Sequence, residues 1–150
     1  LCSYIEGREA EYEPGERFIG ASSQTFARED ADHFGELQAW DLDKGEKVWV
    51  NEFESPNWGP VLTTAGGLVF AGDVDRFVRA FDSMTGELLW ETRLGTSVQG
   101  FPVAYGVDGA QYIAVPAGLG GGSPRRVPQL LSPEIRHPDS GNALYVFTLK

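Results

Sequence analysis

With 150 residues, 22 acids against 12 Lys and Arg, and a formal net charge of −10, the chain has the wrong sign for nonspecific binding to nucleic acid or an anionic membrane. Cys2 is the single cysteine, which excludes an intrachain disulfide and a cysteine-rich metal site. The 19 glycines, nine prolines and 41% hydrophobic residues, with Val, Tyr, Phe and Trp abundant, suit short strands separated by tight turns rather than long amphipathic helices.

Residues 1 to 16 read as polar and irregular, with a turn at Pro14-Gly15. Arg17 to Ala21 reads as a short strand. Ser22 to Phe34 is rich in charge and reads as a surface insertion, with room for a brief helix over Thr25 to Asp30. Gly35 to Asp41 then alternates, with Leu37, Ala39 and Asp41 on one side and Glu36, Gln38 and Trp40 on the other, as a strand requires. Asp41 can accept backbone N–H bonds across Leu42 to Lys44, and Gly45 can supply the positive φ that closes the turn. Lys47 to Asn51 is the outgoing strand.

Asn51 to Asn57 is an acidic connector, and Trp58-Gly59-Pro60 leads into the short strand Val61 to Thr64. Ala65-Gly66-Gly67 predicts a hairpin turn before the strand Leu68 to Gly72. A turn at Asp73-Val74-Asp75 precedes the strand Phe77 to Asp82. Thr85-Gly86 closes another turn before Leu88 to Glu91, so residues 61–92 predict one complete four-stranded unit. A further unit begins around Phe101 to Ala104, turns at Asp108-Gly109 and continues through Gln111 to Val115. The run Gly118 to Pro124 breaks the rhythm, and the chain reads as irregular to Ser140 before Ala143 to Leu149 resumes as a strand.

One pattern occurs twice. Ala39-Trp40-Asp41 with Gly45 and Trp49 returns as Ala80-Phe81-Asp82 with Gly86 and Trp90, at an offset of 41 residues. That period is the length of a propeller blade, a small antiparallel sheet that buries its faces only against neighbours. Closed propellers need about four to eight blades. The expected fold is therefore all-β, a partial β-propeller, with incomplete blades on either side of 61–92 and a fourth strand of the last blade to be supplied from elsewhere. In isolation such a chain is expected to be unstable or to associate.

Several features carry a family likeness. They are the two repeated turns ending in Trp49 and Trp90; Asn57-Trp58-Gly59; Thr64 to Phe70; Gly109 to Ile113; and Gly141 to Phe147. The sequence resembles the C-terminal part of the pyrroloquinoline quinone (PQQ)-dependent methanol and ethanol dehydrogenases, over about residues 15 to 122 and 141 to 149. The resemblance implies an eight-bladed ring with PQQ and Ca²⁺ or a lanthanide near its axis, in the periplasm. It implies oxidation of primary alcohols, electron transfer to a cytochrome c, and the remaining blades of the parent as partners, and it leaves room for a homodimer. The family's metal ligands and catalytic base lie upstream of the matched region, so no residue here is assigned to either role, and the isolated segment is expected to be inactive.

Trp58 matches the family tryptophan beside the PQQ rim and is the leading cofactor-contact candidate; Asn57 is the weaker one, since its side chain can equally cap the turn. Pro60 and Arg76 depart from the family, which has small residues at these places, and Arg76 raises the prospect of a different turn geometry.

The structural readings weigh against the other candidates. Asp41 and Asp82 recur in one repeated unit and read as turn caps, while Trp49 and Trp90 read as interblade docking residues and Trp40 as interblade packing. His33 and His137 lie in unrelated insertions and do not suggest a shared metal site. Gly118 to Gly122 lacks the Gly-Lys-Ser/Thr ending of a nucleotide loop and reads as a surface or lid loop. Arg125-Arg126 is too short a basic run for nucleic acid. The competing functional class is a non-enzymatic propeller with PQQ-like repeats, acting as an interaction scaffold in the envelope.

Overall fold

The computed structural model describes residues 2–16, 18–27, 29–118, 127–138 and 140–148. The run Gly118 to Pro124 beyond Gly118, and Arg125-Arg126, lie outside the described residues. The chain divides into two compact units, Leu1–Asp32 and His33–Lys150.

The first unit is a hairpin. Strand β1 (Cys2–Gly7) pairs antiparallel with β2 (Ala21–Phe26), from Cys2 opposite Phe26 to Gly7 opposite Ala21. This corrects the expectation of an irregular start and of a brief helix at Thr25 to Asp30. Most of these strand residues are exposed. A strand held by its backbone ladder rather than by a buried face lacks the apolar alternation that sequence patterning detects.

Among the described residues the second unit holds three antiparallel sheets. Strands β3 (Gly35–Asp41) and β4 (Glu46–Phe53) form the first. Strands β5 (Leu62–Thr63), β6 (Leu68–Gly72), β7 (Phe77–Asp82) and β8 (Leu88–Arg93) follow one another in the second. Strands β9 (Val103–Val107), β10 (Ala110–Ala117) and β11 (Ala143–Thr148) form the third, with β10 central. The connection between β10 and β11 contains a short helix, α1 (Val127–Leu131), where an irregular segment is expected from sequence.

The central pair β6–β7 is buried on both faces, which explains its near-continuous apolar reading. Val69, Ala71 and Phe81 join Leu37 in one core cluster, against which Trp49 and Phe53 of β4 pack. Phe70, Val78 and Ala80 point the other way, into a second cluster with Leu94, Val98, Ile113, Val115 and Ala117. Alternation along a strand thus assigns successive residues to different intersheet cores.

The repeated turns are built as their residues dictate. Asp82 accepts N–H bonds from Met84 and Thr85, both at 2.9 Å, and Gly86 has φ 74°. Asp41 accepts them from Asp43 and Lys44 at 3.0 and 3.1 Å, and Gly45 has φ 68°. Each carboxyl is held below the ordinary aspartate value. The Lys44 hydrogen bonds are the main cause at Asp41, and the Thr85 and Met84 N–H groups at Asp82. Trp49 of β4 donates its indole N–H to the Ser83 carbonyl at 3.1 Å, and Asn51 reaches the Gly86 carbonyl at 2.8 Å, so the first sheet grips the turn of the second. Trp40 does not dock on the second sheet: it is 51% exposed, bonded to Gln38 and covered by Lys47, on the side of β3 that faces away from that sheet.

Candidate functional site

Strand order places the connections at two ends of the second sheet. The turns 64–67 and 83–87 lie at one end; the turn 73–76 and the connectors 54–61 and 94–102 lie at the other. Trp58 is on the latter end.

The turn 73–76 is the hub of that end. Asp73 is 2% exposed, and its carboxylate accepts the Phe77 N–H at 3.0 Å and Arg79 Nη1 at 2.5 Å. Arg79 also donates from Nε to Glu91 at 3.0 Å, while its guanidinium lies 4.5 Å from the Phe77 ring and 5.0 Å from that of Phe53. Burial pushes the Asp73 carboxyl up from its ordinary value; the Arg79 hydrogen bond and charge and the Phe77 N–H oppose that rise. The Asp73 carbonyl accepts the Val98 N–H at 2.9 Å, the Val74 N–H donates to the Pro56 carbonyl at 3.1 Å, and Ser97 Oγ donates to the Val74 carbonyl at 3.0 Å. Both connectors therefore hang on two consecutive residues.

Arg76 keeps the left-handed conformation that a glycine would adopt there, with φ 77°. A non-glycine residue thus holds a conformation that favours glycine, at a cost in backbone strain.

Trp58 emerges from this frame. Ser55 and Pro56 before it are buried, whereas Trp58 is 38% exposed, and no hydrogen bond to another described residue engages its indole. Gly59 follows at a close approach: a β-carbon there would lie 3.0 Å from the Val98 carbonyl oxygen and 3.4 Å from that of Gly72. Asn57 has a bracing role. Its amide donates to the Glu36 carbonyl at 2.9 Å, and a β-carbon on Gly35 would be 2.6 Å from its Oδ1.

The turn 73–76 and the connector 94–102 at this end hold three buried polar atoms with no partner among the described residues, Arg76 Nε, Thr96 Oγ1 and Gln99 Nε2, and the β10–β11 connection holds two more, Ser132 Oγ and His137 Nδ1. A half-open indole at the same end as the unpaired Arg76, Thr96 and Gln99 donors suits a flat, polar, anionic ring system. His33 bonds Glu36 at 2.9 Å, and His137 bonds the Ser132 carbonyl at 2.9 Å, so the two histidines serve different surroundings. Among the described residues no three His, Cys, Asp or Glu side chains are grouped to hold a metal ion. A larger cavity of about 520 Å³ lies between the second and third sheets, but its walls, among them Leu68, Phe70, Trp90, Ile113 and Phe147, are mainly apolar and offer no titratable group.

Sequence reading singled out Trp58 and Asn57 as cofactor-contact candidates and did not single out Asp73, Arg79 or the Gly59–Gly72–Val98 approach. The available signal was Asp73 directly after a glycine, with Arg79 on the following strand.

The comparisons with known proteins agree on one family. Residues 50–113 match the family described as PQQ: glucose/ethanol/alcohol dehydrogenase, beta-propeller domain. The quinoprotein alcohol dehydrogenase PedH of Pseudomonas putida is 37% identical over 138 residues, covering 92% of this chain and 23% of that protein. Methanol dehydrogenase [cytochrome c] subunit 1 of Paracoccus denitrificans is 38% identical over 125 residues, 81% of this chain and 20% of its own length. Among solved structures, a europium-containing methanol dehydrogenase superposes with a TM-score of 0.81 at 32% identity, over 99% of this chain and 29% of that one. The chain thus spans less than a third of each of these relatives.

Proposed function

This chain belongs to the PQQ-dependent quinoprotein alcohol dehydrogenase family, and from that premise we propose that it forms part of the wall around the PQQ of an enzyme oxidising primary alcohols. The supporting observation is Trp58, exposed at the loop end of its sheet, with the buried Ser55-Pro56 pair before it and the close approach of Gly59 to Val98 after it. When bound, PQQ supplies the quinone that takes a hydride from the alcohol. Trp58 offers it an indole edge and an N–H donor, and its ring excludes water from one side. Asn57 holds the connector against β3, and the metal of this reading is Ca²⁺ or a lanthanide.

In this reading electrons pass to a cytochrome c, the acceptor in the Paracoccus relative's name, and the protein works in the periplasm. The test is reconstitution of the protein carrying this sequence with PQQ and either Ca²⁺ or a lanthanide. Primary-alcohol-dependent reduction of cytochrome c that requires both additions is expected, and Trp58→Phe is expected to weaken PQQ binding. A protein that takes up no PQQ and reduces no acceptor would overturn the reading in favour of a scaffold.

A further inference from the structure

We infer that the buried Asp73–Arg79 pair is a positioning device for Trp58, setting the angle at which the indole meets the cofactor. This rests on the proposed PQQ-facing role of Trp58. The connector carrying Trp58 is attached to the turn of Asp73 at two points. Two residues before the indole, the Pro56 carbonyl accepts the Val74 N–H at 3.1 Å. One residue after it, Gly59 lies against the Gly72 and Val98 carbonyls, and Val98 is in turn bonded to the Asp73 carbonyl at 2.9 Å. Gly72, Asp73 and Val74 are consecutive, so any rotation of their peptides moves both anchors of Trp58 together.

The Asp73 side chain opposes that rotation. One carboxylate oxygen closes the turn through the Phe77 N–H, and the other is held by Arg79. Arg79 cannot swing away, because Glu91 holds its Nε and its guanidinium is packed between Phe77 and Phe53. Phe53 belongs to β4, the strand that runs into the connector. The fork of Arg79 therefore registers the outgoing strand of one sheet against the turn of the next, with Trp58 between them. A hydrophobic pair of similar volume would fill the space but fix no rotation, since apolar packing is not directional.

The experiment uses the full protein carrying this sequence, labelled with 5-fluorotryptophan and freed of cofactor, its Trp58 ¹⁹F resonance assigned by Trp58→Phe. Asp73→Asn places an N–H₂ against one of two donors, and Arg79→Met removes the fork; either is expected to shift or broaden the Trp58 resonance. Gly86→Ala, in the turn at the opposite end of the second sheet, is the destabilised control and is expected to leave it in place. Should Asp73→Asn fail to fold, Arg79→Met and the milder Arg79→Lys carry the comparison.

In the PQQ-loaded protein, Asp73→Asn is expected to raise the PQQ dissociation constant about tenfold. An unmoved Trp58 resonance in the Asp73 and Arg79 variants, or an equal shift in Gly86→Ala, would overturn the inference and leave the pair a stability element. Unchanged PQQ affinity in Trp58→Phe would instead remove the cofactor-facing role, while the cofactor-free spectra still report the coupling.

Discussion

The ring of Trp49 lies over Gly86 so closely that a β-carbon on Gly86 would be 2.7 Å from Cδ2 and 2.9 Å from both Cγ and Cε3. The indole N–H reaches the Ser83 carbonyl in the same turn. The glycine thus serves two purposes, a positive φ and a bare surface for the neighbouring sheet.

Gly86→Ala should therefore cost more than Gly45→Ala. Both positions have positive φ, but nothing lies within 4 Å of a β-carbon at Gly45. Backbone strain alone costs about 1 kcal/mol, so that is the expectation for Gly45→Ala, and at least about 2 kcal/mol for Gly86→Ala. Urea unfolding of the two variants measures the difference; equal losses would mean that the Trp49 contact contributes nothing.

Trp49→Phe keeps an aromatic ring but loses the donor to Ser83. Its expected cost is about 1–3 kcal/mol, from one unsatisfied carbonyl and a smaller ring. Combining it with Gly86→Ala should give less than the sum, since both act on one contact. A fully additive double mutant would separate the two residues.

Asp82 gives the turn an acid-sensitive part. Its folded value is depressed below 3.8 by the Thr85 and Met84 N–H groups and the Thr85 hydroxyl. The stabilisation is present above the unfolded value and is lost as pH falls through the folded one. An NMR titration of the Thr85 amide should show a midpoint below 3.8, and Asp82→Ala should abolish that transition. A midpoint at or above 3.8 would contradict the hydrogen-bonding account.

Arg76→Gly is expected to stabilise the fold by about 1 kcal/mol, because glycine accepts φ 77° without steric cost. Denaturant midpoints would show it. A destabilised variant would mean that the buried arginine stem outweighs the backbone strain.

Phe81→Ala should be among the most damaging single changes. Phe81 is 1% exposed, packs with Leu37, Val69 and Ala71, and meets the Phe53 ring edge-on at 6.3 Å. A cost of about 3–5 kcal/mol is expected from chemical unfolding; a loss under about 1 kcal/mol would mean the two sheets do not share this core.

The turns were legible because their chemistry is local: Asp41 and Asp82 are followed at fixed distance by N–H donors and by Gly45 or Gly86. The hairpin β1–β2 was not, since exposed strands carry no apolar rhythm, and neither was α1, only five residues long between β10 and β11. Trp58 and Asn57 were singled out by their match to a family motif, but the commitment of the Asn57 amide to Glu36 depends on a strand residue 21 positions away in sequence.

The sequence by itself determined the blade period, the strands that alternate toward a core, the capped turns and the docking tryptophan. Each rests on spacing along one chain segment, where φ preferences and period-two alternation act. Only the tertiary structure decided that Asp73 is buried on Arg79, that Gly59, Gly72 and Val98 converge, and that Trp58 is held open between them. These relations join residues from different strands and connectors, and their energies come from desolvation and close contact, which exist only once the sheets have packed.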